Sequence, residues 1–293
     1  DQPAHTMPAH LNPHPWPMEG REQLRTGYSS ASGPRFNPFL PSPWPFSANA
    51  ALSSPPVIGS DGTAYVGTGD GRFLALRASA ATAERLLRWS VPSVGNPISS
   101  TAALKQEVPA AGVQGEVRVF FTTANGDVFG IDADTGAVVW NESLGASVAP
   151  TSSPAVRTSS DTGLATIFLA TDGGIFALQE HSLPVSVRQE WHNAAVATAN
   201  AVALSPDGGR VYATQGTELF VLDAGSGATT CSFDMGTPLS PPLVHPDGSL
   251  ALGGGNGRVL AAAVLTSPCS VVTDSVNMGG AITQRPAWGP DDS

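Results

Sequence analysis

Three histidines, His5, His10 and His14, stand in a proline-rich opening stretch at a spacing that suits a loose transition-metal chelate. No cysteine and no rigid element accompanies them to fix ligand geometry, so the spacing is read as composition rather than as a metal site. Asp132, Asp134 and Asp223 are oxygen donors of the kind a hard cation gathers. Each flanks glycine ahead of an apolar strand, however, where an aspartate bonds its own backbone, and the turn role is the preferred reading. His181, His192 and His245 share no motif, and no nucleophile signature, phosphate loop or paired-carboxylate pattern occurs. The expectation is a chain with no catalytic, cofactor-binding or metal-ligating residues.

Two other groups carry chemistry of a different kind. Cys231 and Cys269 are either an oxidised pair or two buried thiols, and a count of two leaves both readings open. A bridge would close a loop of 38 residues and contribute roughly 3 to 4 kcal/mol in the chain-entropy picture. The triplet Asn141-Glu142-Ser143 is an N-glycan acceptor if the chain is secreted by a eukaryote.

The elements that position these residues repeat. One phrase recurs: a Ser/Pro-rich opening, a strand, a turn, a second strand, a Gly turn, a third strand, then an Asp/Gly turn and a strand ending in an aromatic. The copies span about 53–98, 99–150, 151–198, 199–238 and 239–281, with the start of another at 282–293. Trp89, Trp140 and Trp191 close the first three copies and lie 51 residues apart each time. In the fourth copy Cys231 falls where Trp140 stood. Between the second and third strands come Gly69-Asp70-Gly71, Asn125-Gly126-Asp127, Asp172-Gly173-Gly174, Gln215-Gly216-Thr217 and Gly255-Asn256-Gly257. Gly, Asn and Asp supply the positive φ that tight hairpins need, so these turns in register predict meandering antiparallel sheets.

The fold class expected is all-β: a β-propeller of four-stranded antiparallel blades, five clear repeats and part of a sixth, over residues 51–293. A short four-stranded sheet cannot bury both faces alone, and radial stacking solves that. Small residues in the third strands, as in Phe73-Leu74-Ala75-Leu76 and Val128-Phe129-Gly130-Ile131, are expected to let neighbouring blades approach near the axis. Residues 1–50 read as an extended Pro/His-rich arm that wraps or docks.

Whole-chain quantities agree with that class. The 293 residues are 41% hydrophobic and only 13% charged, with 32 Gly and 26 Pro, the composition of short strands joined by turns. A net charge of −10 without any Lys/Arg stripe argues against nucleic acid, and no apolar run is long enough to span a bilayer. Lys105 is the only lysine, which is read as a compositional bias.

The segments Trp16-Pro17-Met18 with Arg25-Thr26-Gly27-Tyr28-Ser29, Asp61 to Gly67, and Ile131-Asp132-Ala133-Asp134-Thr135-Gly136-Ala137-Val138-Val139-Trp140 resemble the pyrroloquinoline-quinone-like propeller repeat family. That group includes a bacterial outer-membrane assembly lipoprotein and the quinoprotein dehydrogenases. The resemblance implies that Trp89, Trp140 and Trp191 dock each blade onto the next. It also raises a redox alternative, but dehydrogenases of the alcohol class carry adjacent cysteines at the cofactor, and Cys231 and Cys269 are far apart in sequence. The similarity is to the non-enzymatic branch, which implies an extracytoplasmic scaffold with protein partners and no bound cofactor; a carbohydrate or cell-surface binder is the other non-enzymatic option. With the sixth unit partial, residues 1–293 are expected not to close a ring alone: a longer natural chain or a partner would cover the last blade.

Overall fold

A computed structural model of the protein describes residues 18–19, 25, 46–77, 83–105, 117–145, 152–198, 200–266 and 269–286. His5, His10 and His14, most of the arm and the sixth unit beyond residue 286 lie outside these.

The strands form five four-stranded sheets, each a simple antiparallel meander. Blade 1 contains β1 (Val57–Ile58), β2 (Ala64–Gly67), β3 (Phe73–Leu76) and β4 (Leu87–Val91). Blade 2 contains β5 (Ala103–Leu104), β6 (Arg118–Thr122), β7 (Asp127–Asp132) and β8 (Val138–Ser143). Blade 3 contains β9 (Ala155–Thr158), β10 (Ala165–Thr171), β11 (Gly174–Ser182) and β12 (Val185–Asn193). Blade 4 contains β13 (Ala203–Leu204), β14 (Arg210–Gln215), β15 (Glu218–Asp223) and β16 (Thr229–Asp234). Blade 5 contains β17 (Leu243–Val244), β18 (Leu250–Gly253), β19 (Arg258–Thr266) and β20 (Cys269–Asn277). This is the β-propeller arrangement expected from the repeats.

The core lies in the seams between blades rather than inside any one of them. Phe73, Ala75 and Val91 of blade 1 pack with Leu104, Val119, Phe121 and Ile131 of blade 2. Ala103, Phe120, Val128 and Trp140 face Ile167, Leu169 and Phe176 across the second seam. Comparable clusters join blade 3 to blade 4 and blade 4 to blade 5. Phe120, Phe121 and Phe168 have no exposed surface, and each such side chain stabilises the stack by about 1.5 to 3 kcal/mol. The face of blade 1 turned away from blade 2 is covered differently: Phe46 and Ala48, just before the first strand, pack on Val66, Leu74 and Leu76.

The crossing from one blade to the next uses a repeated device. Ile98 donates its amide to Thr68 O at 3.2 Å, and its side chain fills the space where a Cβ on Gly67 would stand, at 2.4 Å. Ile282 does the same after blade 5, donating to Gly254 O at 3.1 Å and lying 2.5 Å from the Cβ position of Gly253. Only glycine leaves room for the isoleucine at these two strand ends.

Two hairpins differ from expectation. The third and fourth strands of blades 3 and 5 run for nine residues each, well past the short strands expected from the repeat. The polar Glu180, His181 and Ser182 read as the end of a strand, but their backbones continue to pair, with Glu180 opposite Val187 and Ser182 opposite Val185.

Candidate functional site

In each of the first four blades one cross-strand column faces the following blade. In blade 1 it reads Tyr65, Ala75, Trp89; in blade 2 Phe120, Gly130, Trp140; in blade 3 Phe168, Ala177, Trp191; in blade 4 Tyr212, Val221, Cys231. The small third-strand residue has a further purpose within its own blade, seen at Gly130. It makes room for the tryptophan of its own blade, since a Cβ on Gly130 would stand 2.2 Å from the Trp140 ring. A flat indole lying across the sheet needs a residue without bulk beneath it.

The tryptophans then reach across the seams. Trp89 Nε1 donates to Ala133 O of blade 2 at 2.9 Å, and its ring lies 2.7 Å from where a Cβ on Gly136 would be. Trp191 repeats this on blade 4, donating to Ala224 O at 3.1 Å, with its ring 2.4 Å from the Cβ position of Gly227. The Asp132 and Asp223 turns that carry these glycines are closed by the aspartates themselves. Asp132 Oδ1 accepts from the amides of Asp134 and Thr135 at 3.1 and 2.7 Å, and Asp223 Oδ1 from Gly225 and Ser226 at 3.1 and 2.8 Å. Asp134 instead meets Arg88 of blade 1 at 2.7 Å, and Arg88 also holds Asp61 at 2.7 Å.

The second seam is built otherwise. Trp140 Nε1 donates to Glu180 Oε1 at 3.2 Å, and Glu180 is only 2% exposed. The same carboxylate forms ion pairs with Arg118 Nε at 3.0 Å and Lys105 Nζ at 3.4 Å, and accepts a hydrogen bond from the Ala165 amide at 3.1 Å. Blade 3 has a long β11–β12 hairpin where blades 2 and 4 have a glycine turn, and Glu180 on that hairpin takes the place of the backbone carbonyl. From sequence Lys105 reads as compositional bias, and neither Glu180 nor Arg118 stands out. No local motif marks this cluster, because its members come from four strands of two blades and the residue after β5.

The fourth seam carries a disulfide. Cys231 in the docking column and Cys269 at the start of β20 are joined with their Cα atoms 5.8 Å apart. The longer β19–β20 hairpin brings Cys269 back toward blade 4. In the fifth column the register places Asp274 opposite Ala261 and Ala251. That face of blade 5 is open, with Val272 66% and Val276 62% exposed.

A further cluster lies where the first strands of blades 3, 4 and 5 begin. Arg25, fully buried, donates Nε to Val202 O at 2.6 Å and Nη2 to Ser153 O at 2.9 Å, and pairs with Glu19 at 3.2 Å. Arg285 donates Nε to Pro242 O at 3.2 Å and reaches Glu19 from the other side at 3.4 Å. Met18 packs into the seam between blades 2 and 3.

Asn141 is exposed on β8. His181 and His192 both belong to blade 3 and His245 to blade 5, and they do not converge. His192 stacks on Phe176 at 3.9 Å, His181 faces Glu190 at 3.7 Å, and His245 meets Asp247 at 2.9 Å. Among the described residues no group of three or more His, Cys, Asp or Glu is placed to hold a metal.

Tyr65 gives a spectroscopic handle on the first seam. Burial, reinforced by the Asp61 charge, pushes its phenol up to about 12. The unfolded chain loses that proton near pH 10, so stability present below pH 10 is withdrawn as pH rises from about 10 to about 12. An alkaline absorbance titration is expected to show a phenol ionising near 12 that Tyr65→Phe lacks; the same curve for both proteins would mean that the seam is solvated.

Five antiparallel four-stranded blades docked in series define a propeller of pyrroloquinoline-quinone-like repeats. A family model described as outer membrane protein assembly factor BamB matches residues 42–180 and 85–267, and the chain belongs to that family. No curated protein matches the sequence. Solved structures of similar fold include BamB from Moraxella catarrhalis, 15% identical, covering 83% of this chain and 81% of that one with a TM-score of 0.44. A chain of a mitotic checkpoint complex is 13% identical over 84% of this chain and 71% of its own, with a TM-score of 0.59. A europium-containing methanol dehydrogenase is 13% identical over 85% of this chain, with a TM-score of 0.57, and this chain spans only 56% of that enzyme. For the last two, at these identities, the likeness is one of fold.

Proposed function

We propose that the protein is a non-catalytic interaction scaffold in an extracytoplasmic assembly. The observation that carries the proposal is the family match, which runs from blade 1 into the third strand of blade 5. Two structural features support it. The tip of the β11–β12 hairpin presents Leu183, 93% exposed, with Val185 two residues on, and the outer face of blade 5 exposes Val272 and Val276; exposed apolar surface of this kind marks contact sites for other proteins. The Cys231–Cys269 bridge suits an oxidising compartment. Among the described residues, no helix is long and apolar enough to cross a membrane.

A redox enzyme is the second reading, favoured by the fold likeness to methanol dehydrogenase. Against it stands the cysteine arrangement: Cys231 and Cys269 are not adjacent, and they staple two blades together at the rim. The discriminating experiment isolates the protein from its native source after mild cross-linking, then assays it with added quinone and calcium for dye-linked alcohol oxidation. A stoichiometric protein partner without turnover is the expected result. Turnover that saturates with quinone would overturn the scaffold reading.

A further inference from the structure

The outer edge of blade 5 is built differently from those of the other four blades. In blades 1 to 4 the pairing of the third strand with the fourth is interrupted by a bulge beside the docking column, at Ala75/Leu76, Gly130/Ile131, Ala177/Leu178 and Val221/Leu222. Bulges of this kind twist an outer strand away from further pairing. β19 and β20, by contrast, pair over the full nine residues of each strand without one. The other outer strand of that length, β12, lies against β8, whereas β20 is the last strand of its sheet. From Ser270 to Asn277 it holds no proline and no basic residue, and its one charge is Asp274.

Asp274 stands in the column position that Trp89, Trp140, Trp191 and Cys231 hold in the other blades, opposite Ala261 and Ala251. It is exposed, and Val272 and Val276 flank it on the same face. Its Oδ1 accepts from the Ser275 amide at 2.7 Å. Met278 donates its amide inward, to Gly257 O at 2.7 Å. Backbone groups point to alternate sides along an antiparallel strand, so those of Val271, Thr273 and Ser275 point outward at the edge. The carboxylate therefore occupies one of the free edge donors.

We propose that β20 is a docking strand for an extended segment of a partner protein, one that carries Arg or Lys opposite Asp274 and apolar residues two positions to either side. Strand addition of this kind draws affinity from main-chain hydrogen bonds and specificity from alternate side chains. The residue opposite Asp274 falls in a non-hydrogen-bonded pair, where side chains stand closest. A cation there draws the carboxylate off the Ser275 amide and frees that donor for the incoming strand, while Val272 and Val276 meet the flanking apolar residues. Charge excludes a second copy as the occupant. A pairing that puts the valines of two copies on one face puts both Asp274 carboxylates there as well, and each chain carries a net charge of −10. The N-terminal arm lacks the pattern: its basic residues Arg21, Arg25 and Arg35 are not flanked by apolar residues two positions to each side. The inference rests on the scaffold reading in taking the ligand to be a protein.

The test titrates the isotope-labelled full chain with the end-blocked peptide Thr-Val-Thr-Arg-Thr-Val-Thr and with its counterpart carrying Glu in place of Arg. The Arg peptide should bind saturably and slow amide exchange at Val271, Thr273 and Ser275, and the Glu peptide should bind about fivefold more weakly or worse. Asp274→Arg, at an exposed position, should reverse that preference. N-methylation of the Thr residues, whose amides face β20, should abolish binding of the Arg peptide, whereas N-methylation of its Val and Arg residues should leave it intact. Absence of saturation, equal binding of the two peptides, or the same response to both methylation patterns would overturn the proposal. Capture of a protein partner by cross-linking, with both peptides silent, would refute the docking strand and leave the scaffold reading standing.

Discussion

Glu180→Ala is expected to destabilise the protein by about 3 to 5 kcal/mol, the range for removing one partner from a buried ion pair. Glu180 is only 2% exposed and answers Lys105, Arg118, the Trp140 indole and the Ala165 amide together. Its loss takes the buried carboxylate from two cations and leaves two neutral donors without this acceptor in the second seam. Urea unfolding monitored by tryptophan fluorescence measures the change, seen as a lower midpoint with little change in slope. Replacing Lys105 and Arg118 by apolar residues in the same variant should restore only part of the loss. The indole and the amide would still lack their acceptor, and a buried donor left unpaired costs about 1 to 3 kcal/mol. A midpoint unchanged by Glu180→Ala would show that the second seam does not close through this carboxylate.

The second large effect belongs to the disulfide. Changing both Cys231 and Cys269 to serine opens a loop of 38 residues and should cost about 4 kcal/mol on the chain-entropy estimate. In a stack where each blade touches only its neighbours, the loss should be local. Among the described residues, the face of blade 5 turned away from blade 4 is exposed at Val272 and Val276, so β18 to β20 should open first. Calorimetry of oxidised and reduced protein measures the size of the effect, and hydrogen exchange measures its place. Equal melting of both forms would deny the bridge a stabilising part.

The repeat made much of this architecture legible. Strand order, the hairpin turns and the docking column rest on residues that recur at fixed intervals, and the substitution of Cys231 for tryptophan was visible because the surrounding spacing held. What stayed hidden is what breaks the repeat. Glu180 sits in a hairpin extended beyond the expected length, where a charged residue reads as a strand end; only a cation from the neighbouring blade makes its burial tolerable. Arg25 lies 128 residues from Ser153 and 177 from Val202 in sequence, and no local pattern announces such contacts. A second role of the small third-strand residues stayed hidden for a related reason. Alternation in one strand says that space is needed, but the cross-strand partner decides what fills it, and for Gly130 that partner is Trp140 of the same blade.

The central claim is that successive blades are joined through one column, with an indole from each of the first three blades hydrogen-bonded to the next. Exchange of the indole Nε1 protons tests it most directly. The resonances of Trp89, Trp140 and Trp191, assigned by single Trp→Phe replacements, should exchange slowly, because their acceptors are Ala133 O, Glu180 Oε1 and Ala224 O inside the seams. Glu180→Ala should speed Trp140 alone. If the three indoles exchange as fast as free tryptophan, the blades are not docked through this column and the account fails.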